Sequence, residues 1–186
     1  MTEGKRDKKS AHSEVKIFSI PYNPGETNKN ENININTNNN YQLSKEELIE
    51  KAFKFHSQGS ILEAAKYYQI FINHDFRDHR VFSNYGVILQ GLGKSQEAEL
   101  SYRKAIEIKP DYAKAHYNLG NVLSDLGKLQ DAEFSYRKAI KIKPDYAEAY
   151  SNQGNILRNL GKLKDAELSY RKAIEIKPDF AEAYSN

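Results

Sequence analysis

The stretch SYRKAIEIKPDYA, residues 101–113, returns as SYRKAIKIKPDYA from Ser135 and as SYRKAIEIKPDFA from Ser169, at intervals of 34 residues. A chain that repeats itself at a fixed short period folds as a stack of like units, so this spacing constrains the architecture more than any bulk property. Within the unit, Ala98, Tyr102, Ala105 and Ile106 fall at i, i+4, i+7 and i+8, one face of an α-helix. Pro110 stops that helix, and Asp111 is placed to cap the next one. Ala115, Leu119, Val122 and Leu123 then mark a second apolar helix face, closed by Gly127, a residue free to adopt the left-handed conformation. A further helix runs to Pro144. Each period therefore reads as helix, glycine turn, helix and proline stop. One such hairpin cannot bury its own apolar face, and stacking at least three buries it.

The repetition begins after residue 41. Before it, NKNENININTNNN at 28–40 carries eight asparagines in thirteen residues. A segment of that composition buries too little apolar area to offset its ordering entropy, so residues 1–40 are expected to be a disordered tail. Val15, Ile17, Phe18, Ile20 and Tyr22 form a less polar patch inside it, either a short docking motif or a stray apolar stretch. The cluster Lys5, Arg6, Lys8 and Lys9 is broken by Asp7 and reads as solvated tail.

Numbered from residues 45, 79, 113 and 147, the repeats place a small residue at the eighth position (Ala52, Gly86, Gly120, Gly154) and alanine at the twentieth (Ala64, Ala98, Ala132, Ala166). Tyrosine occupies the twenty-fourth (Tyr68, Tyr102, Tyr136, Tyr170). Turn glycines are Gly59, Gly93, Gly127 and Gly161, and closing prolines are Pro110, Pro144 and Pro178. This pattern resembles the tetratricopeptide repeat over roughly 45–186. The resemblance implies an all-α solenoid of helix-turn-helix hairpins, wound as a right-handed superhelix with a concave groove lined by the first helix of each hairpin. The expected organisation is a degenerate first repeat at 41–78, repeats at 79–112, 113–146 and 147–180, and the start of a further one at 181–186. The first departs from the pattern at Phe71 and Phe76, and opens with the capping box Ser44-Lys45-Glu46-Glu47. An array normally closes with a polar capping helix. Its absence here implies a bare apolar face including Leu168, Ile174 and Ile176, and with it self-association, a truncated frame or a longer natural chain.

Function is expected in the groove. Its sixth repeat position is Asn84, Asn118 and Asn152, with Asn186 next in line. An amide both donates and accepts, so a row of them can hold a peptide main chain whatever its side chains. The row resembles the asparagine ladder in the repeat domain of O-GlcNAc transferase, although Glu50 breaks it in the first repeat. The other reading is that duplication copied an ordinary surface asparagine. Neighbours expected on the same face are Arg80, Lys114, Tyr117, Asn121, Glu148 and Asn155. Some chaperone adaptors of the family clamp a C-terminal carboxylate with lysines and asparagines. Here Ile49 and Phe53 stand where the first repeat would supply them, which argues against that clamp.

Other functions find less support. The balance of 28 Lys and Arg against 25 Asp and Glu gives a net charge of only +3, and neither nucleic acid nor a membrane is expected as partner. The repeated Tyr-Arg-Lys does not change this, because Glu99, Glu133 and Glu167 lie four residues before Arg103, Arg137 and Arg171 in the favourable order for helical ion pairs. His74, Asp75, Asp78 and His79 form the densest polar cluster and read as turn solvation rather than a metal site. There is no catalytic constellation, so no enzyme, metal or cofactor is expected. The lack of cysteine fits a reducing, cytoplasmic setting. Two roles remain: an interaction scaffold that takes a protein or peptide in its groove, and the substrate-targeting arm of a larger glycosyl-, sulfo- or methyltransferase.

Overall fold

A computed structural model describes residues 43–178. The tail at 1–40, with its apolar patch and basic cluster, and the six residues at 181–186, Asn186 among them, lie outside the described residues. Within them the chain forms eight α-helices: α1 (Lys45–Ser57), α2 (Ile61–Asn73), α3 (His79–Gly91), α4 (Ser95–Ile108), α5 (Ala113–Asp125), α6 (Leu129–Ile142), α7 (Ala147–Asn159) and α8 (Leu163–Ile176). No strand occurs among the described residues. Odd and even helices pair as hairpins, and each hairpin packs on the next, chiefly α4 on α5 and α6 on α7. This is the expected α-solenoid.

Local chemistry sets the ends. Gly93 has φ 73°, which lets Lys94 N–H reach back to the Leu89 carbonyl at 2.9 Å and Gly93 N–H to that of Gln90 at 2.9 Å. The remaining turn glycines share the left-handed φ. The even helices α4, α6 and α8 end at extended lysines, Lys109, Lys143 and Lys177, because a residue before proline is pushed out of the helical region. Helix α2 has no proline after it and ends instead through His74 and Asp75, the latter at φ 55°. The capping box of α1 is present: Glu47 N–H donates to Ser44 Oγ at 3.2 Å and Ser44 N–H to Glu47 Oε2 at 2.8 Å. Asp111 does not cap α5. The non-helical boundary residue is Tyr112, which makes no side-chain capping bond, so Asp111 sits one residue too early.

The core rests on a glycine–tyrosine seat in each of the last three hairpins. Tyr102, Tyr136 and Tyr170 lie flat against Gly86, Gly120 and Gly154, so closely that a Cβ on these glycines would fall 2.7, 2.6 and 2.6 Å from the ring Cε1. In the first hairpin Ala52 holds that position, and buried Tyr68 meets Phe53 edge-on, with ring centroids 6.1 Å apart. On the outer surface, Glu99 accepts from Arg103 of its own helix at 2.9 Å and from Lys128 of the next repeat at 2.8 Å. Glu133 joins Arg137 at 3.8 Å and Lys162 at 3.2 Å. Arg171 pairs with Glu167 at 2.7 Å.

Leu168 does not mark a bare end. It is 65% exposed, but Leu100 and Phe134 at the same repeat position are 68% and 52% exposed, so the exposure belongs to the outer surface of each of the last three hairpins. Ile174 and Ile176 are partly buried, as Ile106 and Ile108 are.

Candidate functional site

The groove face is built from one stripe of each odd helix. On α5 the side chains of Asn118, Asn121 and Asp125 follow one another at helical spacing and share that stripe. The expected asparagines are placed on it, but they are not the solvent-facing row that the ladder reading requires. Asn118 is only 8% exposed, and Asn84 and Asn152 are partly buried.

Their hydrogen bonds separate them. Asn152 Nδ2 donates to the Tyr117 hydroxyl at 3.2 Å and to Asn121 Oδ1 at 2.9 Å, both in the preceding repeat. The two amide hydrogens are thereby used in holding α7 to α5. Asn121 Oδ1 also accepts from the Tyr136 hydroxyl at 2.8 Å, so the seat tyrosine and the groove amide share one oxygen. Burial pushes the Tyr136 pKa well up, with Tyr117 adding to the rise and Asn152 opposing it, so the hydroxyl remains a donor at neutral pH. Tyr117 packs against Tyr136 and Tyr146, centroids 6.0 and 4.9 Å apart.

Asn118 is different. Its Nδ2 is buried and has no hydrogen-bond partner, and neither has Ser83 Oγ. Ser83 and Asn118 are the counterparts, one repeat earlier, of Tyr117 and Asn152. Serine is too short to do what Tyr117 does, and the counterpart of Asn121 is Val87, which accepts nothing. Asn84 lies beside the Tyr68 hydroxyl and by hydrogen bonding opposes the rise that burial gives its pKa.

A cavity of about 320 Å³ opens between α5 and α7, bounded by Gln90, Asn121, Ser124, Asp125, Tyr136, Asn152, Asn155 and Ile156. Three expected residues, Asn121, Asn152 and Asn155, meet there. Asn155 Oδ1 accepts from the Tyr170 hydroxyl at 2.7 Å. Gln90 and Asp125 escaped the sequence reading, although Gln90 Nε2 donates to Asp125 Oδ2 at 2.9 Å across the repeat boundary. Their spacing of 35 residues, one more than the period, was the available signal. Arg80, Lys114 and Glu148 do not join this cavity. Arg80 is bound to its own helix cap, donating to Asp78 from Nε at 3.1 Å and Nη2 at 2.7 Å, and lies 5.5 Å from the Phe53 ring centre. Lys114 is exposed, and Glu148 meets Lys177 at 3.6 Å. Among the described residues no group of three or more His, Cys, Asp or Glu is placed to hold a metal ion, and no helix is long and apolar enough to cross a membrane.

Residues 113–146 and 147–180 match the tetratricopeptide repeat profile, and 86–127 match a second profile described as TPR repeat. Comparison with curated proteins finds no match. Among solved structures, the chain is similar to MamA, at 25% identity and TM-score 0.69 over 75% of this chain and 81% of that one. It is similar to the first TPR of Spaghetti (RPAP3) bound to the HSP90 peptide SRMEEVD, at 26% identity and TM-score 0.60 over 63% of this chain and 93% of that one. YrrB, a TPR protein with an unusual peptide-binding site, shares the fold at 20% identity and TM-score 0.67 over 73% and 70% of the two chains. With its hairpins, its period and both profiles in agreement, the chain belongs to the tetratricopeptide repeat family.

Proposed function

We propose that the chain is a protein-interaction scaffold that holds an extended peptide in its concave groove, with Asn118 as the amide that meets the peptide main chain. The observation that carries this reading is the buried Nδ2 of Asn118, a donor with no partner in the groove wall. A buried unpaired amide costs about 1–3 kcal/mol, so a ligand that supplies an acceptor recovers free energy that the unbound protein lacks. Meeting that acceptor requires the Asn118 side chain to turn toward the groove about its soft terminal torsion. Asn152 acts mainly in structure, because its hydrogens are committed to Tyr117 and Asn121.

The solved relative with a bound HSP90 peptide supports a peptide as the class of partner. One amide contributes about 0.5–1.5 kcal/mol, and micromolar affinity needs about 8 kcal/mol, so side-chain contacts supply most of the binding. The cavity of about 320 Å³ beside Asn152 and Asn155 is suited to take a polar side chain. The test selects heptapeptides by phage display on the full chain and measures their binding by fluorescence anisotropy. Asn118→Ala is expected to weaken them about tenfold with the melting temperature unchanged, and SRMEEVD to bind poorly. Undiminished binding by Asn118→Ala removes the reading.

A further inference from the structure

The face opposite the groove carries a second cavity. On α5, His116, Leu119 and Leu123 lie about half a turn around the helix from Asn118 and Asn121. They floor a wedge of about 480 Å³ whose walls are Ile106 of α4 and Phe134 of α6. The wedge is open at this junction for a reason visible in the side chains. Between α2 and α4 the floor positions hold Phe82 and Tyr85, and the Tyr85 hydroxyl donates to Gln69 Oε1 at 2.7 Å, tying that floor to α2. Between α6 and α8 they hold Tyr150 and Gln153, and Ser169 Oγ donates to Gln153 Oε1 at 3.5 Å. At the middle junction the counterparts are His116 and Leu119, and His116 Nε2 donates to the Pro110 carbonyl at 2.9 Å, away from the wedge.

The charge around this wedge departs from the repeat. Lys104 and Lys172 each have a glutamate three residues on, Glu107 at 2.9 Å and Glu175 at 2.6 Å. In the middle copy that glutamate is Lys141. Lys138 therefore has no carboxylate partner among the described residues, and its Nζ lies 5.2 Å from the centre of the exposed Phe134 ring. Phe134, Lys138 and Lys141 share one stripe of α6. Of the two acids lining the wedge, Glu107 is matched by Arg77 and Lys104, and Asp131 is one carboxylate against the two cations Lys138 and Lys141 at its rim. Phe134 is apolar surface held open to solvent beside an excess of positive charge.

We infer that this outer wedge is a docking site for an acidic peptide segment, which inserts one apolar side chain between Ile106 and Phe134 and sets its carboxylates against Lys138 and Lys141. It is separate from the groove, and neither site depends on the other.

A fluorescein-labelled peptide with a central phenylalanine flanked by aspartate and glutamate is the probe, with a lysine-flanked version as control, both titrated into the full chain. The acidic probe is expected to bind and to weaken with added salt, and the lysine control to bind at least tenfold more weakly. His116→Tyr installs the residue of the following repeat and Leu119→Tyr that of the preceding one, so each fills the wedge with bulk that the fold already carries at that position. Each is expected to weaken the probe about tenfold with the circular dichroism spectrum unchanged. Lys138→Glu with Lys141→Glu is expected to do the same without touching the packed floor, and Asn118→Ala to leave the affinity as it was. Equal affinity for both peptides, or full binding by the filled variants, overturns the site. Concentration-dependent dimerisation abolished by His116→Tyr assigns the wedge to a second copy of the chain and overturns the acidic-peptide proposal.

Discussion

The second and third hairpins have nearly the same second helix, α4 and α6, yet they anchor its tyrosine differently. In the third, the Tyr136 hydroxyl donates to Asn121, and the fourth repeats this with Tyr170 and Asn155. In the second, Val87 stands at the asparagine position, and Tyr102 donates one turn further along, to Gln90 Oε1 at 3.2 Å. The first hairpin also uses that later turn, where Tyr68 and His56 Nδ1 share a hydrogen bond of 3.0 Å. The consequence falls on the next repeat. Asn152 finds Asn121 and Tyr117 waiting for it, whereas Asn118 finds Val87 and Ser83. Two differences in one helix thus separate an amide that cements the stack from one whose nitrogen has no partner.

The largest effect is expected where the hairpins agree. Gly120→Ala adds a Cβ 2.6 Å from the Tyr136 ring, which is nearly fully buried and tied to Asn121. Overpacking of about 1–3 kcal/mol outweighs a helix-propensity gain of about 1 kcal/mol, so a net loss of up to about 2 kcal/mol is expected in urea unfolding. Gly91→Ala, with nothing within 4 Å of the new Cβ, is expected to stabilise instead. Equal outcomes at the two glycines break the claim that the seat is sterically set.

The comparison itself is tested by the two asparagines. Asn152→Ala removes two inter-repeat hydrogen bonds, and a loss of about 1–2 kcal/mol is expected. Asn118→Ala removes a buried amide nitrogen that had no partner, so stability is expected to hold within about 0.5 kcal/mol or to rise. Matching losses in thermal melts show that the two junctions are alike after all.

The packing of this fold was open to reading in its sequence, because the residues that make it recur at a period and each acts within its own hairpin: glycine against tyrosine, glycine in the turn, proline at the stop. The site was less open. Whether Asn118 is free depends on Ser83 and Val87, which face it across a repeat boundary and differ from their own copies. The sixth-position asparagines look identical along the chain, and only their neighbours tell them apart. The outer wedge was hidden in the same way, since it exists through the lack of bulk at His116 and Leu119 rather than through any motif. Leu168 misled for the opposite reason: it was read as an end effect when its copies Leu100 and Phe134 are just as exposed.

Alkaline titration sharpens the contrast between the first hairpin and the middle two. Burial pushes Tyr68 from its ordinary value of 10 up to about 12, and it pushes Tyr102 and Tyr136 further in the same direction. A raised pKa means that the fold favours the protonated phenol. Its stabilisation is complete below pH 10 and is lost as pH rises from there through about 12. The loss begins near pH 10 for Tyr102 and Tyr136 as well and continues to higher pH, so the middle hairpins are expected to lose more stability in total than the first. Tyr136→Phe is expected to lessen the alkaline loss of helical signal in circular dichroism more than Tyr68→Phe does, and equal effects show that another group governs it.

The smallest change asks whether one residue carries the whole difference. Val87→Asn gives the second hairpin the residue that the third and fourth use. Val87 is 38% exposed, so the replacement buries little new polar surface and removes little apolar contact. The new Oδ1 is placed as Asn121 Oδ1 is, where it accepts from a seat tyrosine and from the groove asparagine of the next repeat. For Val87→Asn those donors are Tyr102 and Asn118. Satisfying a buried amide contributes about 0.5–1.5 kcal/mol, partly offset by the hydrogen bond that Tyr102 gives up to Gln90. A net gain of up to about 1 kcal/mol is expected in the melting transition, together with loss of the groove affinity that depends on Asn118. Stability and binding then move in opposite directions from a single substitution. If stability rises while binding is kept, the amide was never the peptide's contact. If neither moves, Ser83 rather than Val87 sets Asn118 apart, and Ser83→Tyr becomes the substitution that must close the junction.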